Sequence, residues 1–158
     1  MPDSDYQSAM RSFVSGQIGA ELGLMSQDLE VGLEVARNLI RRGALAEAMQ
    51  VYVGLVLCQP ANQAFQIGLA NCAIQLGEYH LALQSASVVI AQSPRDPRGY
   101  LLSGHACIGL GALAEAAVDL DEAISFGRAE RNATIVEEAR RLRQALPEAV
   151  ETTASATG

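Results

Sequence analysis

The chain has two histidines, three cysteines and 18 carboxylates, and chemistry needs such groups assembled in sets. His105 and Cys107 come nearest to a metal-ligand spacing. On a helix, however, a residue and its i+2 neighbour point to different faces, and a structural zinc ion takes four ligands. No metal is expected at the pair. His80 falls in a turn just after Gly77. Cys58, Cys72 and Cys107 are odd in number and lack a CxxC spacing, which argues for a reduced compartment and small core side chains rather than nucleophiles. Asp119, Asp121 and Glu122 are expected to be a solvated helix face. No glycine-rich phosphate loop stands out, because the glycines recur at even spacing. The residues therefore point to no catalytic set and no cofactor, and the chain is not expected to be an enzyme. What remains is a binding surface.

The elements that build this surface repeat. Gly43-Ala44-Leu45-Ala46-Glu47-Ala48 recurs as Gly111-Ala112-Leu113-Ala114-Glu115-Ala116, 68 residues on, and Gly77-Glu78-Tyr79-His80-Leu81-Ala82 stands midway. Pro60 and Pro94 keep the same 34-residue step, as do the small columns Ala36/Ala70/Gly104 and Ala48/Ala82/Ala116. A period of 34 is the length of a tetratricopeptide (TPR) unit, two antiparallel helices and their turns. The small columns let the two helices of a pair approach closely. Gly43, Gly77 and Gly111 fall where the first helix must stop and turn. Pro60 and Pro94 close the second. The spacing predicts an all-α fold with helices over 29–42 and 45–57, 63–76 and 79–92, and 97–110 and 113–126. The repeats are then 29–62, 63–96 and 97–130.

Residues 1–28 form an N-terminal extension. Its stripe of Met10, Phe13, Val14 and Ile18 has helical spacing and is read as a cap on the first repeat or a homodimer contact. Residues 131–147 read as a capping helix, with Ile135, Ala139, Leu142 and Leu146 on one face and Pro147 as its stop. The Ala- and Thr-rich residues 148–158 are expected to be a disordered tail.

The chain has 158 residues, enough for one domain, with 49% hydrophobic and only 4% aromatic residues. Its formal charge of −7 argues against nucleic acid and anionic membranes, which need a basic surface. No segment is apolar for long enough to insert in a bilayer, and the N-terminus has no signal-peptide pattern. A soluble, cytoplasmic protein is expected.

Stacked helix pairs curve, with the first helices lining the concave side. Two aliphatic columns run along those helices, Leu33/Ile67/Leu101 and Ile40/Ile74/Ile108. Arg37, Asn71 and His105 lie between them. Together they predict an apolar groove with a polar seam, suited to an extended peptide. The Lys and Asn set that clamps a C-terminal carboxylate is missing from these columns.

Phe65, Gly68-Leu69-Ala70, Cys72, Gln75, Gly77, Tyr79 and Ala82-Leu83, with Pro94 and Asp96-Pro97-Arg98, resemble stretches of the class II chaperones of bacterial type III secretion. The resemblance spans about residues 29–126. Leu102-Ser103-Gly104-His105-Ala106 departs from the family's third-repeat pattern, and Cys107 stands one place late. The resemblance implies a cytoplasmic bacterial chaperone that holds an extended segment of a secreted hydrophobic translocator protein and releases it for export, without nucleotide. Two other readings stand beside it, a chaperone for a needle subunit and a TPR scaffold or adaptor in a bacterial assembly.

Overall fold

The computed structural model describes Gly23 and residues 25–147, and among these it contains seven helices and no strand. They are α1 (Ser26–Arg41), α2 (Leu45–Cys58), α3 (Gln63–Leu76), α4 (Tyr79–Gln92), α5 (Pro97–Gly109), α6 (Leu113–Ala129) and α7 (Ala133–Gln144). The stripe of Met10, Phe13, Val14 and Ile18 and the tail beyond Pro147 lie outside the described residues.

Each helix boundary has a local cause. α1 begins three residues earlier than the repeat spacing predicts, because the Asp28 carboxylate reaches back to accept the Met25 N–H at 2.7 Å. The turn inside each pair has one geometry. Ala44, Glu78 and Ala112 donate their N–H groups back to Leu39, Ala73 and Cys107 at 2.8–2.9 Å. The residue before each donor is Gly43, Gly77 or Gly111, with φ of 79°, 78° and 75°. Only glycine enters this region without steric cost, which is why the hexapeptide begins with it.

The links between repeats also share a pattern. Gln66 Nε2 donates to the Pro60 carbonyl at 2.7 Å, and one period later the Tyr100 hydroxyl donates to the Pro94 carbonyl at 2.9 Å. Asn62 caps α3 by accepting from Ala64 and Phe65, and Asp96 caps α5 by accepting from Arg98. Asp96 also pairs with the Arg98 guanidinium at 2.6 Å and accepts from Gln63 across the junction at 3.1 Å. Burial works to raise the Asp96 carboxyl, but these bonds outweigh it and hold the group below its ordinary value.

The third repeat ends differently. Arg128 stands where Pro60 and Pro94 would recur, so α6 runs on to Ala129. The chain then turns through Arg131 at φ 56°, with Asn132 donating to the Gly127 carbonyl at 2.8 Å. Arg131 takes the place that glycine holds in the other turns. α7 buries Ile135, Ala139 and Leu142, together with Val136, and Leu146 is buried just beyond its end.

The small columns sit at the helix contacts, with Ala36, Ala48, Ala70, Ala82 and Ala116 fully buried. Successive first helices also touch, α3 on α5 and α5 on α7, whereas no comparable packing joins α4 to α6. The stack therefore closes on the first-helix side and opens on the other. No described helix is long and apolar enough to cross a membrane.

Candidate functional site

The concave face is built by α1, α3 and α5, one helical column per period. Leu33, Ile67 and Leu101 are half-buried. Each packs its inner side on the core, Leu33 on the cluster around Tyr52 and Phe65, Ile67 on Ala70 and Ala73, and Leu101 on Cys107 and Leu120. Their outer edges remain open. Ile40 and Ile108 are likewise half-buried.

Ile74 differs, and here the groove prediction needs correction. It is 9% exposed and belongs to the core cluster with Ala70, Ala82, Leu102 and Ala106. α5 stacks directly on α3, so Ile74 fills the joint between two first helices instead of lining the groove. The aliphatic columns therefore serve first as inter-repeat packing and only secondarily as a surface.

The polar seam between them is accessible. Asn71 is exposed, and its amide is bonded only within its own helix, to the Ile67 carbonyl at 3.0 Å. Arg37 is exposed and lies 3.9 Å from Glu34, while Arg41 pairs with Glu34 at 2.7 Å. His105 is half-buried. Burial lowers its pKa, Glu138 of α7 opposes that shift and Arg141 adds to it. The imidazole is thus neutral near pH 7 and offers the seam a donor and an acceptor. At the first-repeat end a cavity of about 270 Å³ opens beside Leu33, between Leu29, Glu30, Ala64 and Phe65.

The remaining chemical groups are placed as follows. His80 lies in the first turn of α4 and is exposed. Cys107 is buried, and burial raises its thiol, as it does that of Cys72. Asp121 and Glu122 are exposed as predicted, but Asp119 is not a solvated surface group. It is half-buried and accepts a 2.6 Å hydrogen bond from Ser103 Oγ. The signal that could have found this pair is a column switch. Ser103 takes the place of Leu69 one period earlier, and Asp119 that of Ser85.

No family model matches the chain. The low calcium response locus protein H of Yersinia pestis is 29% identical over 116 residues, 71% of this chain and 68% of that protein. Among solved structures, the Yersinia enterocolitica type III secretion translocator chaperone SycD is similar with a TM-score of 0.71 at 23% identity, covering 82% of this chain and 98% of SycD. PcrH of Pseudomonas aeruginosa, in complex with the chaperone binding region of PopD, gives a TM-score of 0.72 at 23% identity, covering 82% and 95%. The resemblance carried by the middle repeat is thus met in the fold: this chain has the TPR-like fold of the type III secretion translocator chaperones SycD and PcrH.

Proposed function

We propose that the chain is a cytoplasmic bacterial type III secretion chaperone that binds an extended, apolar segment of a secreted translocator protein in its concave groove. The observation that carries this reading is the paired row of half-exposed aliphatic edges, Leu33, Ile67 and Leu101 with Ile40 and Ile108, flanking the accessible Asn71 and His105. An extended strand presents alternate side chains to one side. It can rest two or three of them on these edges while its backbone bonds to the seam. Fully burying an aliphatic anchor contributes about 1.5–3 kcal/mol before ordering costs, so a few partly buried anchors fit affinities around micromolar. Binding is stoichiometric and requires no bond to be made or broken. The solved complex of PcrH with the chaperone binding region of PopD supports the choice of cargo class.

The apolar N-terminal stripe of Met10, Phe13, Val14 and Ile18 is the proposed homodimer contact. Light scattering before and after deletion of residues 1–22 tests it, and an unchanged number of subunits refutes it.

The groove is tested at Asn71, whose side chain is exposed and hydrogen-bonded within its own helix. Asn71→Arg places a long cation in the centre of the seam without disturbing the core. Titration calorimetry against a translocator peptide that the wild-type chain binds, starting from the chaperone binding region of PopD, should show binding weakened at least tenfold, with an unchanged melting curve. Undiminished binding by the folded variant would favour the scaffold reading, in which the groove is not the working surface.

A further inference from the structure

The opposite side of the stack holds a second feature. Where α4 and α6 meet over α5, a surface-open cavity of about 510 Å³ is lined by Leu83, Ser103, Cys107, Glu115, Val118 and Asp119, with Ala114 at one edge. Its surface is mostly apolar, supplied by Leu83, Cys107, Ala114 and Val118, and Val118 is 61% exposed. Its polar end is the Asp119 carboxylate, held by Ser103 Oγ at 2.6 Å.

The residues that shape the cavity differ from those at the preceding junction. Between the first and second repeats the equivalent place is filled by Leu69, which is buried in the core with Met49 packed on the same cluster. One period later Ser103 and Asp119 replace Leu69 and Ser85, opening the space and placing a carboxylate in it. A half-buried carboxylate carries a desolvation cost, which is met by taking up a proton, by a full set of hydrogen bonds or by a partner cation. Among the described residues Asp119 has one hydrogen bond and no ion pair. Its charged neighbours, Glu115 and Glu122, are both acidic. The complement that would keep Asp119 ionised is a cation.

We propose that this outer cavity is a docking site for a polypeptide segment of a partner protein that presents an arginine or lysine between aliphatic residues. The aliphatic stem of that side chain lies along Leu83 and Val118, and its charged head meets Asp119, with Glu115 at the rim. A long basic side chain is apolar for most of its length and charged at its tip, which matches the order of wall and carboxylate here. The site lies across the stack from the concave groove and does not rest on the reading given to that groove.

The test is an NMR titration of the full chain with three capped tripeptides, Leu-Arg-Val, Leu-Gln-Val and Leu-Glu-Val. The arginine peptide should shift the amides of Leu83, Ser103, Val118 and Asp119 in a saturable way. The other two should bind about tenfold more weakly or worse, as expected for loss of a charge-assisted bond. Asp119→Asn should abolish the preference for arginine. Val118→Lys, at an exposed position where folding is not at stake, should supply the cation internally and block the arginine peptide. Equal binding of all three peptides would overturn the proposal, as would shifts confined to the concave face or the absence of shifts at millimolar peptide. The same amides shifting with concentration of the chain alone would assign the cavity to a second copy and equally overturn it.

Discussion

The joint between the first and second repeats sets the pitch of the groove, and it depends on one glycine. Gly68 lies under the ring of Tyr52, which is 3% exposed. A Cβ placed on Gly68 would stand 2.1 Å from Tyr52 Cε1, 2.2 Å from Cζ and 2.7 Å from Cδ1. Carbon contacts settle near 3.5–4.0 Å, so the ring would have to withdraw by more than an ångström, and the packed core leaves it no room. Overpacking of this kind costs about 1–3 kcal/mol, and the depth of this overlap places it at the upper end. Alanine regains up to about 1 kcal/mol of helix propensity over glycine. Gly68→Ala should therefore destabilise the chain by about 2 kcal/mol, or roughly 5–10 °C in Tm. Gly54 is the control. It also lies within a helix, but a Cβ there meets nothing within 4 Å, so Gly54→Ala should stabilise by up to about 1 kcal/mol. Urea and thermal melts followed by circular dichroism read both. A Gly68→Ala protein as stable as wild type would refute the argument that the ring holds the two repeats at this distance.

Three further outcomes follow from the packing and charges. Ile74→Asp should abolish cooperative folding, because it buries an unpaired charge between α3 and α5. A folded variant with a native-like melt would return Ile74 to the groove. Burial pushes the Asp119 carboxyl up, Glu115 and Glu122 add to the rise, and the Ser103 bond only partly opposes it. A carboxyl raised in the folded state stabilises the fold as pH falls from neutral towards the ordinary carboxylate value of about 3.9. Asp119→Asn should thus be at least as stable as wild type at pH 7 and should lose that part of the pH dependence, which melts between pH 4 and pH 7 would show. Arg131→Gly should raise Tm, since a non-glycine residue at φ 56° costs about 1 kcal/mol. An unchanged or lower Tm would mean that the Arg131 side chain compensates.

How much of this was legible in the sequence can be traced residue by residue. The 34-residue step placed the helices because each small residue marks a helix contact, each Gly a left-handed turn and each Pro a stop, and all three are local requirements. The start of α1 was missed because a carboxylate three residues into a helix is a weaker signal than a repeat column. The groove was only half legible. Periodicity says that Leu33, Ile40, Ile67, Ile74, Leu101 and Ile108 share one side of their helices. It cannot say how closely the next helix approaches, and that distance decides whether the same isoleucine keeps an open edge, as at Ile40 and Ile108, or is core, as at Ile74.

The outer cavity shows the same division. The sequence by itself determined the repeat, its handed turns and the column into which Ser103 and Asp119 were substituted, since these follow from spacing along one chain. Tertiary structure decided that those two side chains meet, that a cavity opens beside them, and that among the described residues no cation pairs with the carboxylate. Such facts depend on the curvature of the stack, which arises from small differences in side-chain volume summed across several helix contacts, and no local pattern carries that sum.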